Sequence, residues 1–137
     1  MNSMNQRTSK RILVVDDAAT VRMYHRAILE SAGFTVAEAV NGIEALEKAL
    51  QTPFDFYLVD INMPKQDGYG FLRELRQQDI PQSPAVMIST QAQTKDRTKA
   101  YVAGANYYMT KPIKPQDLLA VSRLLLGCAE VGEMQTS

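Results

Sequence analysis

The chain has 137 residues, 45% hydrophobic and 22% charged, which is the composition of one ordinary globular domain with room for a full core. Lys plus Arg and Asp plus Glu number 15 each, so no basic excess points to nucleic acid or to an anionic membrane. The lone Cys128 excludes an internal disulfide framework, and no apolar run approaches the roughly 20 residues of a membrane span.

Residues 1–9 are polar and without periodicity, and are expected to form a flexible arm lacking a signal-peptide core. Ile12 to Val15 is a short β-branched run that ends in the acid pair Asp16 and Asp17. A helix follows, with Thr20 as its expected N-cap, Val21, Tyr24, Ile28 and Leu29 on one face, and Gly33 as its stop. Phe34 to Ala39 reads as a strand. Asn41, with Glu44 three residues on, opens a helix expected to carry Ile43, Leu46 and Leu50 inward. Phe54, Phe56, Tyr57, Leu58 and Val59 form an apolar run too short for a helix, which reads as a strand buried on both faces. Asp60 closes it, followed by Asn62, Met63 and Pro64.

After the turn residues Asp67 and Gly68, a helix carries Phe71, Leu72 and Leu75. Ala85 to Ile88 is another buried strand, ending at Ser89 and Thr90. Thr94 to Gly104 is a weakly patterned helix whose apolar side is Ala100, Tyr101 and Ala103. Asn106 to Met109 is the last strand, with Lys111-Pro112 at its end. Pro115 and Asp117 then open an amphipathic helix through Leu118, Leu119, Val121, Leu124 and Leu125, stopped at Gly127. Residues 128–137 are a polar tail. Five strands alternating with five helices predict an α/β fold with a doubly wound parallel sheet of order 2-1-3-4-5. In such sheets ligands bind beyond the carboxyl ends of the strands, where Asp16, Asp17, Asp60, Ser89 and Lys111 converge.

Three carboxylates so close repel: at 4 Å and an effective dielectric near 20, each pair costs about 4 kcal/mol. A cation relieves this, and oxygen ligands in an open site suit Mg²⁺. With an ammonium from Lys111 and a hydroxyl from Ser89, the cluster forms a cradle for phosphoryl oxygens, and Asp60 is the natural carboxylate nucleophile. Taken singly these residues have plainer readings. An acid pair after a strand also serves as a helix cap, Lys111 as a solvated loop lysine, and Ser89 as a satisfied strand-end hydroxyl. His25, the only histidine, is expected on a partly exposed helix face, and Cys128 as an inert thiol.

The acid pair after the first strand, Asp60 with Asn62-Met63-Pro64 and Asp67-Gly68, Ser89, and Lys111-Pro112 occur in order. Together they make residues 10–127 resemble a receiver domain of the two-component response regulators, most similar to the stand-alone, CheY-like members. The resemblance implies phosphorylation of Asp60 by a histidine kinase, with Lys111 contacting the phosphoryl group. It implies Mg²⁺ held by Asp17, Asp60 and the Asn62 backbone carbonyl, with Asp16 acting through a bound water. It also implies a cis Lys111-Pro112 bond and a switch through Ser89, Thr90 and Tyr108, read out on the surface of helix four, strand five and helix five. Coupling of that kind is typically about 1–3 kcal/mol. Thr90 departs from the family's frequent Ala, and its branched side chain is expected to crowd the path of the Tyr108 ring. Asn62 and Gln91 fall at the positions that tune phosphoryl lifetime.

The resulting expectation is a cytoplasmic single-domain response regulator, not an enzyme, with chemotaxis as a candidate pathway. It signals to a downstream target protein as a monomer or a weak phosphorylation-dependent dimer. The competing expectation is a phosphorelay intermediate that passes the group to a histidine phosphotransfer protein. An aspartate-nucleophile phosphatase requires a second acid where Asn62 stands. A flavodoxin-like FMN binder requires a first loop that welcomes phosphate, which Asp16 and Asp17 repel. A DNA-binding role has no recognition module in the chain.

Overall fold

The computed structural model describes residues 9–63, 65–91 and 93–127. Expectations for residues 1–8, Pro64 and residues 128–137, Cys128 included, lie outside the described residues. The order is β1 (Arg11–Val15), α1 (Ala19–Ser31), β2 (Thr35–Ala39), α2 (Gly42–Gln51), β3 (Phe56–Asp60), α3 (Gly68–Arg76), β4 (Ala85–Ser89), α4 (Thr94–Ala103), β5 (Tyr107–Thr110) and α5 (Pro115–Leu126). The strands form one five-stranded parallel sheet in the order β2-β1-β3-β4-β5, as the alternation predicts. Among the described residues no helix is long and apolar enough to cross a membrane.

Alternation along each strand divides the core into two layers. Leu13, Val15, Tyr57, Val59, Ala85 and Met87 face α2, α3 and α4. Ile12, Val14, Phe56, Leu58, Val86 and Ile88 face α1 and α5. Every residue of β3 and β4 is buried, which explains their unbroken apolar runs. Parallel registry then sets the functional end: Val15 pairs with Val59, and Asp60 with Ile88. Asp16 therefore follows β1 at the level of Asp60, which ends β3, and Ser89 ends β4 one residue farther on.

Four local expectations are corrected by the packing. Helix α1 starts at Ala19 with Ala18 at the N-cap, whose amide is held by Asp16 Oδ1 at 2.9 Å, so Thr20 does not cap it. His25 is buried, only 2% exposed, and together with Leu29 forms the inward side of α1. Helix α2 buries Gly42, Ala45 and Ala49, while Ile43 and Leu50 are half exposed and Leu46 only partly buried. Gly42 is buried against the loop before α3, where a Cβ would meet the Gln66 carbonyl at 2.8 Å, and Ala45 and Ala49 pack into the core. Tyr101 likewise stays half exposed on α4, where Ala100 and Ala103 face inward. The Asn41 cap is as expected, accepting from the Glu44 amide at 2.9 Å.

Candidate functional site

One carboxylate oxygen from each of Asp16, Asp17 and Asp60 lies within 4.8 Å of the other two. Asp16 and Asp60 are buried and Asp17 is exposed, so the cluster opens to solvent on one side. Lys111 arrives from the end of β5 and bridges the buried pair, with Nζ 3.0 Å from Asp60 Oδ1 and 3.1 Å from Asp16 Oδ2. Its backbone amide donates to the Ser89 carbonyl at 2.8 Å, and the Lys111-Pro112 bond is cis.

One ammonium does not balance three carboxylates. Burial, followed by the neighbouring Asp16 charge, raises the Asp60 pKa to about 6 despite Lys111. Burial pulls Lys111 down, but the Asp60 hydrogen bond and the charges of Asp60 and Asp16 outweigh it and hold its pKa above the ordinary lysine value. The cluster therefore has a deficit of positive charge. Hard oxygen donors, two of them buried and one open to water, fit a divalent cation such as Mg²⁺.

The remaining expected residues surround this cluster. Ser89 is buried, and its Oγ accepts from the Gln91 amide at 3.0 Å, which leaves the hydroxyl hydrogen free to donate elsewhere. Asn62 and Gln91 are exposed at the mouth. Tyr108 is buried, its hydroxyl donates to the Gln91 carbonyl, and the Arg97 guanidinium lies 5.1 Å from its ring centroid. Thr90 is exposed and lines a cavity of about 270 Å³ with His25, Lys111 and Ile113. The ring of Tyr108 thus sits inward with Thr90 beside the cluster.

Two contacts at the site have no signal in the sequence pattern, although Gly68 itself stands in the Asp67-Gly68 motif. Gly68 passes so near the end of β3 that a Cβ there would meet the Asp60 carbonyl at 2.5 Å. Arg22 donates to the Asp16 carbonyl at 2.7 Å from six residues away. Neither contact follows from spacing, because each depends on how a loop folds back.

The model of the response regulator receiver domain matches residues 12–123. The chain belongs to that family. It is a receiver domain, and so a phosphoacceptor rather than an enzyme in the ordinary sense. A putative response regulator from Chloroflexus aurantiacus superposes with a TM-score of 0.83 at 30% identity, over 88% of this chain and 99% of that one. The receiver domain of the sensor histidine kinase PA1611 from Pseudomonas aeruginosa superposes at 0.81 and 30% identity, over 88% and 99%, and holds a magnesium ion in its active-site cleft. Among curated proteins, the transcriptional regulatory protein ResD of Bacillus subtilis is 33% identical over 90% of this chain and 50% of its own length. PrrA of Mycobacterium tuberculosis is 39% identical over 87% and 51%. The chain thus spans about half the length of the curated relatives it matches.

Proposed function

We propose that this receiver domain takes a phosphoryl group from a histidine kinase onto Asp60 and signals through contacts that change with that modification. The observation that carries the reading is the buried, electron-rich Asp60 carboxylate set among Asp16, Asp17 and Lys111. An Asp60 oxygen attacks phosphorus, the P–N bond of the phosphohistidine breaks as the P–O bond forms, and the leaving imidazole keeps the electron pair and picks up a proton. Asp17, Asp60 and the Asn62 carbonyl would hold Mg²⁺, with Asp16 behind them. When bound, the ion neutralises charge on the cluster and on the phosphoryl oxygens. Lys111 is in place to follow the group from the carboxylate to its phosphoryl oxygens, and the Ser89 hydroxyl has its hydrogen free to donate to one. Asn62 and Gln91, at the mouth, set how readily water reaches the acyl phosphate.

Occupation of Ser89 by the phosphoryl group pulls on the Gln91 loop and, through the Gln91 carbonyl, on Tyr108. The surface so affected is α4, β5 and α5, which already exposes Tyr101, Tyr107, Leu124 and Val102, the last at 80%. A downstream protein bound there, in the cytoplasm, is the simplest readout. The CheY4 chemotaxis protein of Vibrio cholerae, 30% identical with a TM-score of 0.81, makes chemotaxis one pathway to examine. The similarity to a receiver domain of a sensor histidine kinase favours, as a second reading, a relay step that hands the group to a histidine phosphotransfer protein.

Incubation with Mg²⁺ and acetyl phosphate, followed by intact mass, tests the chemistry. One added phosphoryl group is expected in the parent and none in Asp60→Asn. An unlabelled parent, under conditions where a control receiver labels, refutes the reading. Return of label to a histidine phosphotransfer protein then separates relay from switch.

A further inference from the structure

Arg22 lies outside the acid cluster, yet it grips the loop that presents it. Its Nη1 donates to the Asp16 carbonyl at 2.7 Å, and its Nε donates to Glu38 Oε1 at 2.6 Å. The Arg22 side chain is 14% exposed, so this is no solvated surface pair. Glu38, on β2, is held in turn: Oε2 accepts from Arg26 at 2.7 Å, and its backbone carbonyl accepts from Lys48. Hydrogen bonds from Arg22 and then Arg26 keep the Glu38 carboxyl below its ordinary pKa.

The Asp16 carbonyl and the Asp17 amide belong to one planar peptide unit. Fixing that oxygen fixes the direction in which the chain turns into Asp17. The Asp16 carboxylate has anchors of its own, the Ala18 amide and Lys111. Asp17 is exposed, and among the described residues no donor holds its carboxylate. Its placement therefore depends on the backbone that Arg22 clamps.

We infer that the Glu38–Arg22 pair is a positioning device for Asp17 as a divalent-cation ligand, acting through the Asp16 carbonyl without touching the ion. The inference rests on the reading of the acid cluster as a Mg²⁺ site. It has a distinctive sign. Coulomb's law alone says that deleting a cationic side chain near the cluster tightens Mg²⁺ binding. Loss of positioning says the opposite, and outer partners of metal ligands commonly carry tenfold effects or more.

The test is Mg²⁺ affinity by isothermal calorimetry, with the Asp17 backbone amide followed by NMR, on the folded full chain at matched ionic strength. Arg22→Met is expected to bind Mg²⁺ about tenfold more weakly and to shift and broaden the Asp17 amide. Arg22→Lys, which keeps the stem and the charge but loses the fork, is expected to weaken binding about threefold and serves where Met is not tolerated. Arg26→Met breaks a pair with the same Glu38 but leaves the Asp16 carbonyl alone, and its affinity should match the parent's. Equal or tighter binding in Arg22→Met, or parental affinity in Arg22→Lys, overturns the inference. A parent that binds no Mg²⁺ overturns the metal reading beneath it as well, and so marks the two failures apart.

Discussion

At the amino-terminal ends of the strands, polar groups meet partners that satisfy them. The Arg11 amide donates to Asp55 Oδ2 at 2.8 Å, the Ser83 hydroxyl to the Phe54 carbonyl at 2.6 Å, and the Ala85 amide to Asn106 Oδ1 at 3.0 Å. Arg76 ties that end together through the carbonyls of Gly104 and Ser83 and the side chains of Gln82 and Asn106, all neutral acceptors. At the carboxyl ends of the same strands, three carboxylates share one lysine. The first rim is arranged for stability. The second carries a charge excess that stability alone would not select, and such local conflicts concentrate where a protein acts.

The contrast breaks most visibly at Lys111. Lys111→Met leaves Asp16 and Asp60 buried without their ammonium, and removing one member of a buried ion pair costs about 3 kcal/mol. Urea unfolding in EDTA at pH 7.5 should show that loss, and added Mg²⁺ should restore part of it. Recovery in the parent but none in the variant would mean that lysine and cation do not share a role. At the opposite rim, Arg76→Met should cost about 2 kcal/mol through its four lost hydrogen bonds, with Mg²⁺ affinity unchanged. A change in metal binding there would erase the division between the two ends.

Asp60 supplies the opposite sign. Its folded pKa of about 6 exceeds the ordinary 3.8, so the native state binds the extra proton. Stability from this group is therefore highest at acid pH and declines as pH rises through roughly 4 to 6. Above that window the ionised, buried carboxylate carries a penalty on the order of 3 kcal/mol. In EDTA, Asp60→Asn should be more stable than the parent at pH 7.5 by about that amount and should lose the slope between pH 4 and 6. A destabilised Asn variant would show that Lys111 already compensates the acid in full. Mg²⁺ should also bind more weakly as pH falls through 6, because proton and cation compete for one carboxylate.

Much of this was legible in the chain. Strand order followed from alternation, and the acid cluster from two facts: Val15 and Val59 are the last apolar residues of their strands, and each is followed by aspartate. What stayed hidden were the choices set by packing distance. Periodicity sent Ile43, Leu46 and Leu50 inward because they are large, whereas only Leu46 packs against the core and α2 is buried through Gly42, Ala45 and Ala49. His25 reads as polar and mid-helix, but it falls four residues before Leu29 on the side that meets the core. The Arg22 contact with Asp16 and the tight passage of Gly68 beside Asp60 are loop geometry, to which hydrophobic pattern is blind.

The smallest expected effect sharpens the comparison from within the functional rim. Asn41 caps α2 just past the carboxyl end of β2, accepting from the Glu44 amide at 2.9 Å, while Glu44 Oε1 accepts from the Val40 amide at 2.7 Å. The arrangement is local and self-satisfied, like the contacts of the opposite rim. Asn41→Ala removes one acceptor from a helix start and should cost about 1 kcal/mol in urea unfolding. Mg²⁺ affinity, acetyl phosphate labelling and the pH slope assigned to Asp60 should all stay at the parent's values. If they hold, the charge excess is confined to Asp16, Asp17 and Asp60, and the carboxyl-terminal rim is otherwise built like the amino-terminal one. If metal affinity falls with the cap, the strain extends through β2, and the boundary between the stabilising and the functional parts of the sheet runs one strand farther out.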